Sequence, residues 1–275
     1  MPLTADLATV REILQTDRCW AAYALADLAP EYSAPARWHV AAGGRPALLL
    51  VYSGFEPPVL FAHGAAADLA PMLPEVAAAS DAGREFYLSV RPEVAALLHA
   101  RGYEIRDEKS MWRMVADAAR FVPRAHAAVR LGPADYDTLA ILYHDGDAAG
   151  ETPPFFDAGM LRHGVYYGIR EGGAIVAAAG THVLAEQESV AAIGNVYTRR
   201  DRRGRGFGSQ VAGAVTAELL RSGVRTVVLN VGESNAAAMR LYQRLGFERY
   251  CEYREAIATT AWVGKKALPV HPMPP

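Results

Sequence analysis

The sequence predicts an α/β (α+β) protein made of two mixed-sheet domains with helices on both faces, and three observations carry that reading. A unit of strand, helix, glycine stop and strand occurs twice along the chain. The later copy runs as strands, helix, strand, helix, strands, the order expected when a sheet is covered by helices. Between one strand and one helix of that copy lies the loop Arg199-Arg-Asp-Arg-Arg-Gly-Arg-Gly-Phe-Gly-Ser209.

In chain order, Leu3-Thr-Ala-Asp-Leu7 opens the first helix after a short turn. Pro58-Val-Leu-Phe-Ala-His63 reads as a strand that passes through Gly64 almost directly into a helical stretch, residues 65–79. Phe86-Tyr-Leu-Ser-Val90 is a strand, Pro92 to Ala100 a helix, and Arg101-Gly-Tyr-Glu-Ile-Arg106 its stop and the next strand. The second copy begins with Leu131-Gly-Pro-Ala-Asp-Tyr136. A hairpin follows, from Val165-Tyr-Tyr-Gly-Ile-Arg170 through Glu171-Gly-Gly173 to Ala174–Val183. Ala191 to Thr198 is the strand that enters the arginine and glycine loop. Thr226 to Val231 reads as a buried strand, Ser234 to Arg244 as an amphipathic helix, and Leu245-Gly-Phe-Glu-Arg-Tyr250 as stop and strand.

Asp6 and Asp135 stand 129 residues apart and Gly102 and Gly246 stand 144 apart, so the second copy carries about fifteen extra residues. The loop at 199–209 accounts for much of that excess, and the first copy lacks it. Pro123 interrupts any continuing helix or central strand, which divides the chain into 1–123 and 124–275.

Composition narrows the partners. At 275 residues, 51% hydrophobic and 21% charged, the chain can bury two modest cores. A net charge of -2 argues against coating nucleic acid, which needs a broad excess of Lys and Arg. Cys19 and Cys251 are too few for a disulfide framework and lack zinc-ligand spacing, so no metal is expected and both thiols are expected to be buried and inert. Asp6, Arg11 and Glu12 rule out a signal peptide here, and no uncharged apolar run reaches the ~18 residues of a membrane span. The expectation is a soluble, cytoplasmic protein with no membrane partner. Trp20, Trp38 and Trp112 are expected in the core or at its boundary, and the proline-dense tail 268–275 is expected to fray. Paired domains also leave a surface for a homo-oligomer.

The loop is where chemistry becomes legible. Glycines at 204, 206 and 208 let successive backbone N–H groups point into one concavity just where a helix begins, an arrangement that holds a diphosphate. Five arginines, at 199, 200, 202, 203 and 205, add attraction for phosphate. The lysine and hydroxyl of a nucleotide-binding G-x-x-x-x-G-K-S/T loop are absent.

Arg203-Gly-Arg-Gly-Phe-Gly208 fits R/Q-x-x-G-x-G/A, and Asn235, Ala238, Leu241, Tyr242, Gly246 and Phe247 fit N-x-x-A-x-x-L-Y-x-x-x-G-F. Together these motifs resemble the GNAT superfamily of N-acetyltransferases over roughly residues 126–260. The resemblance implies two GNAT-like domains, the first degenerate, and acetyl-coenzyme A as cosubstrate without a metal. It implies that Val196, Tyr197 and Thr198 offer backbone groups to the pantetheine arm. It also implies that Arg203, Gly204, Arg205, Gly206, Phe207, Gly208 and Ser209 grip the diphosphate, with Asn235 nearby.

Tyr242 is the candidate general acid, because acyl transfer expels a thiolate and a phenol of pKa ~10 is a suitable proton donor for it. Asn235 and Tyr242 are seven residues apart, so both are expected on one face of one helix. The strand 191–198 holds no carboxylate where several relatives place one, which leaves the base unassigned; His182, Glu186 and Glu188 are the nearby titratable groups. An acyl-coenzyme A sensor or scaffold that has lost its chemistry is the alternative reading, and the acceptor amine is not legible.

Overall fold

The computed structural model describes residues 6–41, 45–74, 85–123, 127–153 and 155–260. Among them are eleven strands in one sheet, ordered β1-β2-β3-β4-β11-β5-β10-β9-β8-β7-β6. The strands of the first half are β1 (Ala36–Val40), β2 (Leu48–Tyr52), β3 (Val59–His63), β4 (Glu85–Val90) and β5 (Tyr103–Ala116). Those of the second are β6 (Val129–Leu131), β7 (Tyr166–Glu171), β8 (Ala174–Ala185), β9 (Val190–Thr198), β10 (Thr226–Gly232) and β11 (Phe247–Thr260). The helices are α1 (Leu7–Gln15), α2 (Ala22–Ala26), α3 (Pro30–Ser33), α4 (Ala66–Leu69), α5 (Pro92–Ala100), α6 (Tyr136–His144), α7 (Ala158–His163), α8 (Phe207–Arg221) and α9 (Ala236–Arg244).

The two halves repeat one pairing pattern. β1, β2 and β3 are antiparallel in succession and β3 runs parallel to β4; β7, β8, β9 and β10 do the same. The fifth strand of each half is exchanged. β11 lies between β4 and β5, antiparallel to both, and β5 lies between β11 and β10, antiparallel to both. In space the halves interlock through these two fourteen-residue strands.

Alternation along the strands decides which helix covers which face. Ala192, Val228, Cys251 and Tyr253 share a core with Trp20 and Leu25 of the first-half helical segment. Their neighbours Ile193, Leu229 and Phe247 face the other way and pack with Val211, Val215 and Leu219 of α8 and Tyr242 of α9. Helices thus lie on both faces, and α2 of the first half covers strands of the second. Trp20 and Trp38 are buried and Trp112 is half-buried against the α8 core, as expected. Cys251 is buried, but Cys19 is only half-buried, a departure from the expectation for both thiols. Burial pushes both thiols up, that of Cys251 to about 11.

Both repeated units stop as the sequence indicates: Gly102 and Gly246 take left-handed conformations at the ends of α5 and α9. The first half has no room for a cradle, since two residues separate β3 from α4, against the eight that separate β9 from α8. The expected helix at 65–79 is observed as α4, Ala66–Leu69, turns at 70–72 and helical residues 73–74; residues 75–79 lie outside the described set, as do 1–5, the boundary residues 124–126 and the tail 268–275.

Candidate active site

Parallel pairing of β9 with β10 ends at Ile193–Leu229, yet β9 continues to Thr198 and β10 to Gly232. The two strands part there and β10 leaves the β9 edge uncovered, with Thr198 O accepting from Arg203 Nε at 3.2 Å. Two compensating irregularities accompany the parting. Between Gly194 and Tyr197, two residues of β9 stand against one of β8; between Thr181 and Val183, β8 has the extra residue, His182. The bulges bring His182 and Asn195 together, Nε2 to Oδ1 at 3.0 Å. Asn195 has φ +51, a conformation asparagine tolerates better than most residues. Gly194 is required for close approach, because a Cβ there would stand 2.1 Å from His182 Nε2.

The gap opens into a cleft of about 1290 Å³ bordered by the residues expected to hold the cofactor and by Tyr242. Val196, Tyr197 and Thr198 form one wall, residues 203–209 another, and Asn235 and Tyr242 a third. Gly204 and Gly206 have φ of +78° and +79°, and Gly206 is the residue just before α8. The Gln210 N–H donates to Gly206 O at 3.2 Å, so the preceding N–H groups at the helix start are left for a ligand or water. Open space surrounds both glycines, whereas a Cβ on Gly208 would come within 3.2 Å of the Leu241 side chain.

The arginines divide into two sets. Arg202, Arg203 and Arg205 border the cleft; Arg199 and Arg200 do not. Glu171 accepts from Arg202 at 2.7 Å and pairs with Arg205 at 3.7 Å, while Arg203 donates to Glu151 at 3.2 Å and lies over the Tyr197 ring. These exposed pairs are weak and exchange readily for phosphate. Asp145 fixes the entry to the loop, accepting from Tyr197 Oη at 3.0 Å and from the Arg200 N–H at 2.9 Å.

Asn235 departs from its expected place on the helix face. It precedes α9 as the capping residue, and its Oδ1 accepts the Ala238 N–H at 3.0 Å. Tyr242 projects from α9 into the cleft wall, buried, with its ring 6.0 Å from that of Phe247. Burial holds its phenol well above the ordinary value, so the hydroxyl stays protonated.

His182 is held at both ring nitrogens, since Tyr23 Oη lies 3.1 Å from Nδ1. Asn195 Nδ2 donates to Tyr166 Oη at 2.8 Å, which leaves Oδ1 to accept from His182 and makes Nε2 the protonated nitrogen of the ring. Burial lowers the pKa of His182, and of His63, below the ordinary 6.5. Between the lowered value and 6.5 the unfolded chain binds more protons, so stability rises with pH and is lost as pH falls through that window. Urea midpoints are expected to drop from pH 7 to pH 5, and His182→Gln is expected to flatten that slope.

Asn230, which borders the cleft, escaped the sequence reading, as did the buried Arg113 opposite it on β5 and Tyr23 beside that guanidinium. Glu186 and Glu188 sit at the β8–β9 turn, Glu188 bonded to Arg11 at 2.8 Å, away from the cleft wall. Among the described residues no group of three or more His, Cys, Asp or Glu could hold a metal ion, and no helix is long and apolar enough to cross a membrane.

A mixed sheet thus parts between two parallel strands, with an amide-rich helix start beside the gap. Residues 136–247 match the family described as acetyltransferase (GNAT) family. A 54-residue segment is 39% identical to the L-methionine sulfoximine/L-methionine sulfone acetyltransferases of Pseudomonas aeruginosa and Pseudomonas paraeruginosa. It covers 20% of this chain and spans 31% of the length of those relatives. A crystal structure of a putative GNAT-family acetyltransferase from Novosphingobium aromaticivorans is similar at TM-score 0.60 and 22% identity, over 88% of this chain and 97% of that one. A tandem GNAT protein from the clavulanic acid biosynthesis pathway is similar at TM-score 0.56 and 18% identity, over 94% and 97%. At these identities the structures share the fold.

Proposed function

We propose that the protein transfers an acetyl group from acetyl-coenzyme A to a primary amine by direct transfer in a ternary complex. The observation that supports this best is that the α8 cradle, the open edge of β9 and Tyr242 border one cleft. The N–H groups of residues 204–209, with Arg202, Arg203 and Arg205, hold the diphosphate. A helix start contributes roughly 0.3–1 kcal/mol per exposed interaction and up to about 2 when partly buried. Val196 to Thr198 receive the pantetheine arm along the edge that β10 leaves uncovered.

In the reaction the amine nitrogen attacks the thioester carbon, the N–C bond forms and the C–S bond breaks. Tyr242 gives its proton to the departing sulfur, and the proton lost by nitrogen restores the phenol through water. Glycines 204 and 206 and the protonated phenol fit this role. In the same reading, residues 1–123 are a degenerate GNAT-like domain and 124–275 the catalytic one.

Thiol release by the purified protein across classes of amine tests the proposal. Release that requires both acetyl-coenzyme A and an amine is expected. Binding of acetyl-coenzyme A without release against every amine class would instead mark a sensor or scaffold.

A further inference from the structure

Two arginines border the cleft without belonging to the arginine and glycine loop. Arg240 and Arg244 stand on α9, and both are exposed. Arg202 and Arg205 of the loop pair with Glu171, and Arg203 pairs with Glu151. Neither Arg240 nor Arg244 has a hydrogen-bond or ion-pair partner among the described residues.

Helical periodicity explains how both reach the cleft. At about 100° per residue, Arg240, Arg244, Ala237, Leu241 and Ala238 follow one another around a single face of α9, and all of them border the cleft. Tyr242 closes that face on its buried side and Arg240 on its exposed side. A Cβ on Gly208 would stand 3.2 Å from the Leu241 side chain, so this face packs against the start of α8, where the cradle lies. Arg240 precedes Leu241 by one residue and Arg244 follows it by three, which keeps both within one turn of that contact.

Four residues apart, the two side chains are neighbours on the helix surface, with Cβ atoms about 5–6 Å apart. Like charges at this spacing cost helix stability, and an anion between them removes the cost. Arg244 stands in the last turn, where a cation complements the helix dipole; Arg240, in the middle of α9, has no such reason to be basic.

Resting on the acetyl-coenzyme A reading, we propose that Arg240 and Arg244 form the subsite for the ribose 3′-phosphate of coenzyme A. The pantetheine arm leaves the cradle inward, along β9 toward Tyr242, so the nucleotide end leaves it toward the exposed side of α9. A phosphate monoester carries about −1.5 to −2 charge at pH 7 and three acceptor oxygens, which suits two guanidinium groups one turn apart. The diphosphate is held separately, by the amides of residues 204–209 and the loop arginines. The cleft therefore reads a 3′-phosphorylated cofactor and disfavours the same molecule without that phosphate.

The test is calorimetry on the full chain with two probes, coenzyme A and 3′-dephospho-coenzyme A. The unaltered protein is expected to bind coenzyme A about ten-fold more tightly; exposed ion pairs are individually weak, which holds the expectation to that factor. The double variant Arg240→Gln with Arg244→Gln retains good helix formers. It is expected to bind both probes alike, at the affinity that the unaltered protein has for the dephospho form. Arg203→Gln is expected to weaken both probes equally and to keep the ten-fold ratio, because it faces the diphosphate. The subsite is overturned if the unaltered protein binds the two probes equally, if the double variant still discriminates, or if the double variant weakens both probes by the same factor. Loss of the ratio in Arg203→Gln would place the 3′-phosphate on the loop and overturn it too. If neither probe binds the unaltered protein, the acetyl-coenzyme A reading falls with the subsite, a result distinct from equal binding of both.

Discussion

Tyr242→Phe is expected to lower the rate of the chemical step by about 10² to 10⁴, the range of positioned acid catalysis, equivalent to roughly 3–5 kcal/mol. The substitution removes one oxygen and keeps the ring that packs beside Phe247. Acetyl-coenzyme A affinity and thermal stability are therefore expected to change little. Single-turnover kinetics under saturating acetyl-coenzyme A is the decisive measurement, because product release does not contaminate it. An unaltered single-turnover rate would remove Tyr242 from the acid role. Since burial holds the phenol protonated, no loss of rate attributable to its ionisation is expected across the usual assay range up to pH 9. Positioning of the two substrates, worth about 7–11 kcal/mol, remains the larger contribution, so the phenylalanine enzyme is expected to retain measurable turnover.

Gly206→Val is expected to weaken acetyl-coenzyme A binding by about 10²-fold. The site has φ +79° and nothing within 4 Å of an added Cβ, so the penalty is conformational and not a clash. A β-branched residue at positive φ is a genuine outlier, and the left-handed region costs an ordinary residue about 1–2 kcal/mol. The loop relieves that cost by turning its peptide planes, which swings the amides of residues 204–209 away from the cleft. Loss of two helix-start interactions at about 1.4 kcal/mol each, inside the range that reaches about 2, gives the stated factor. Gly206→Asn is the control, because asparagine enters the left-handed region more readily, and its binding is expected to stay within a few-fold. Calorimetry measures the affinity, and a thermal melt should show only a few degrees of change in either variant. Equal affinity in the valine variant would mean the cradle does not hold the cofactor.

Local signals carried most of the second half from sequence alone. Thr226 and Phe247 begin their strands where the apolar pattern places them, and Gly246 stops α9 as a left-handed residue. The α9 boundary shifted by two residues because Asn235 caps the helix and does not join it. The first-half strands β1 and β2 escaped the reading: Ala36–Val40 is short, and Leu48–Tyr52 is an apolar run that period alone does not assign. The exchange of β5 and β11 was also invisible, since a strand's period records which of its sides is apolar and not which strand lies beside it. Arg113 illustrates the same limit. On an alternating strand an arginine reads as a solvent-facing residue, and only the arrival of Trp20 and Tyr23 from the opposite end of the half turns its surroundings into a core. His182 and Asn195 meet through paired irregularities of register, a geometry with no fixed sequence spacing.

The interlocked strands bear on how the molecule is made. When a ribosome has released β4 and β5, both still lack the neighbour that will separate them, because β11 begins about 130 residues after β5 ends. About 110 more residues must emerge before β10 can reach β5, on the order of ten seconds at ordinary translation rates. For that interval the nascent first half carries two raw strand edges, the exposed features that invite mispairing. Its helical cap waits as well, since α2 covers strands not yet made. A first half without a cradle of its own is thus still indispensable, as the template on which the later half closes.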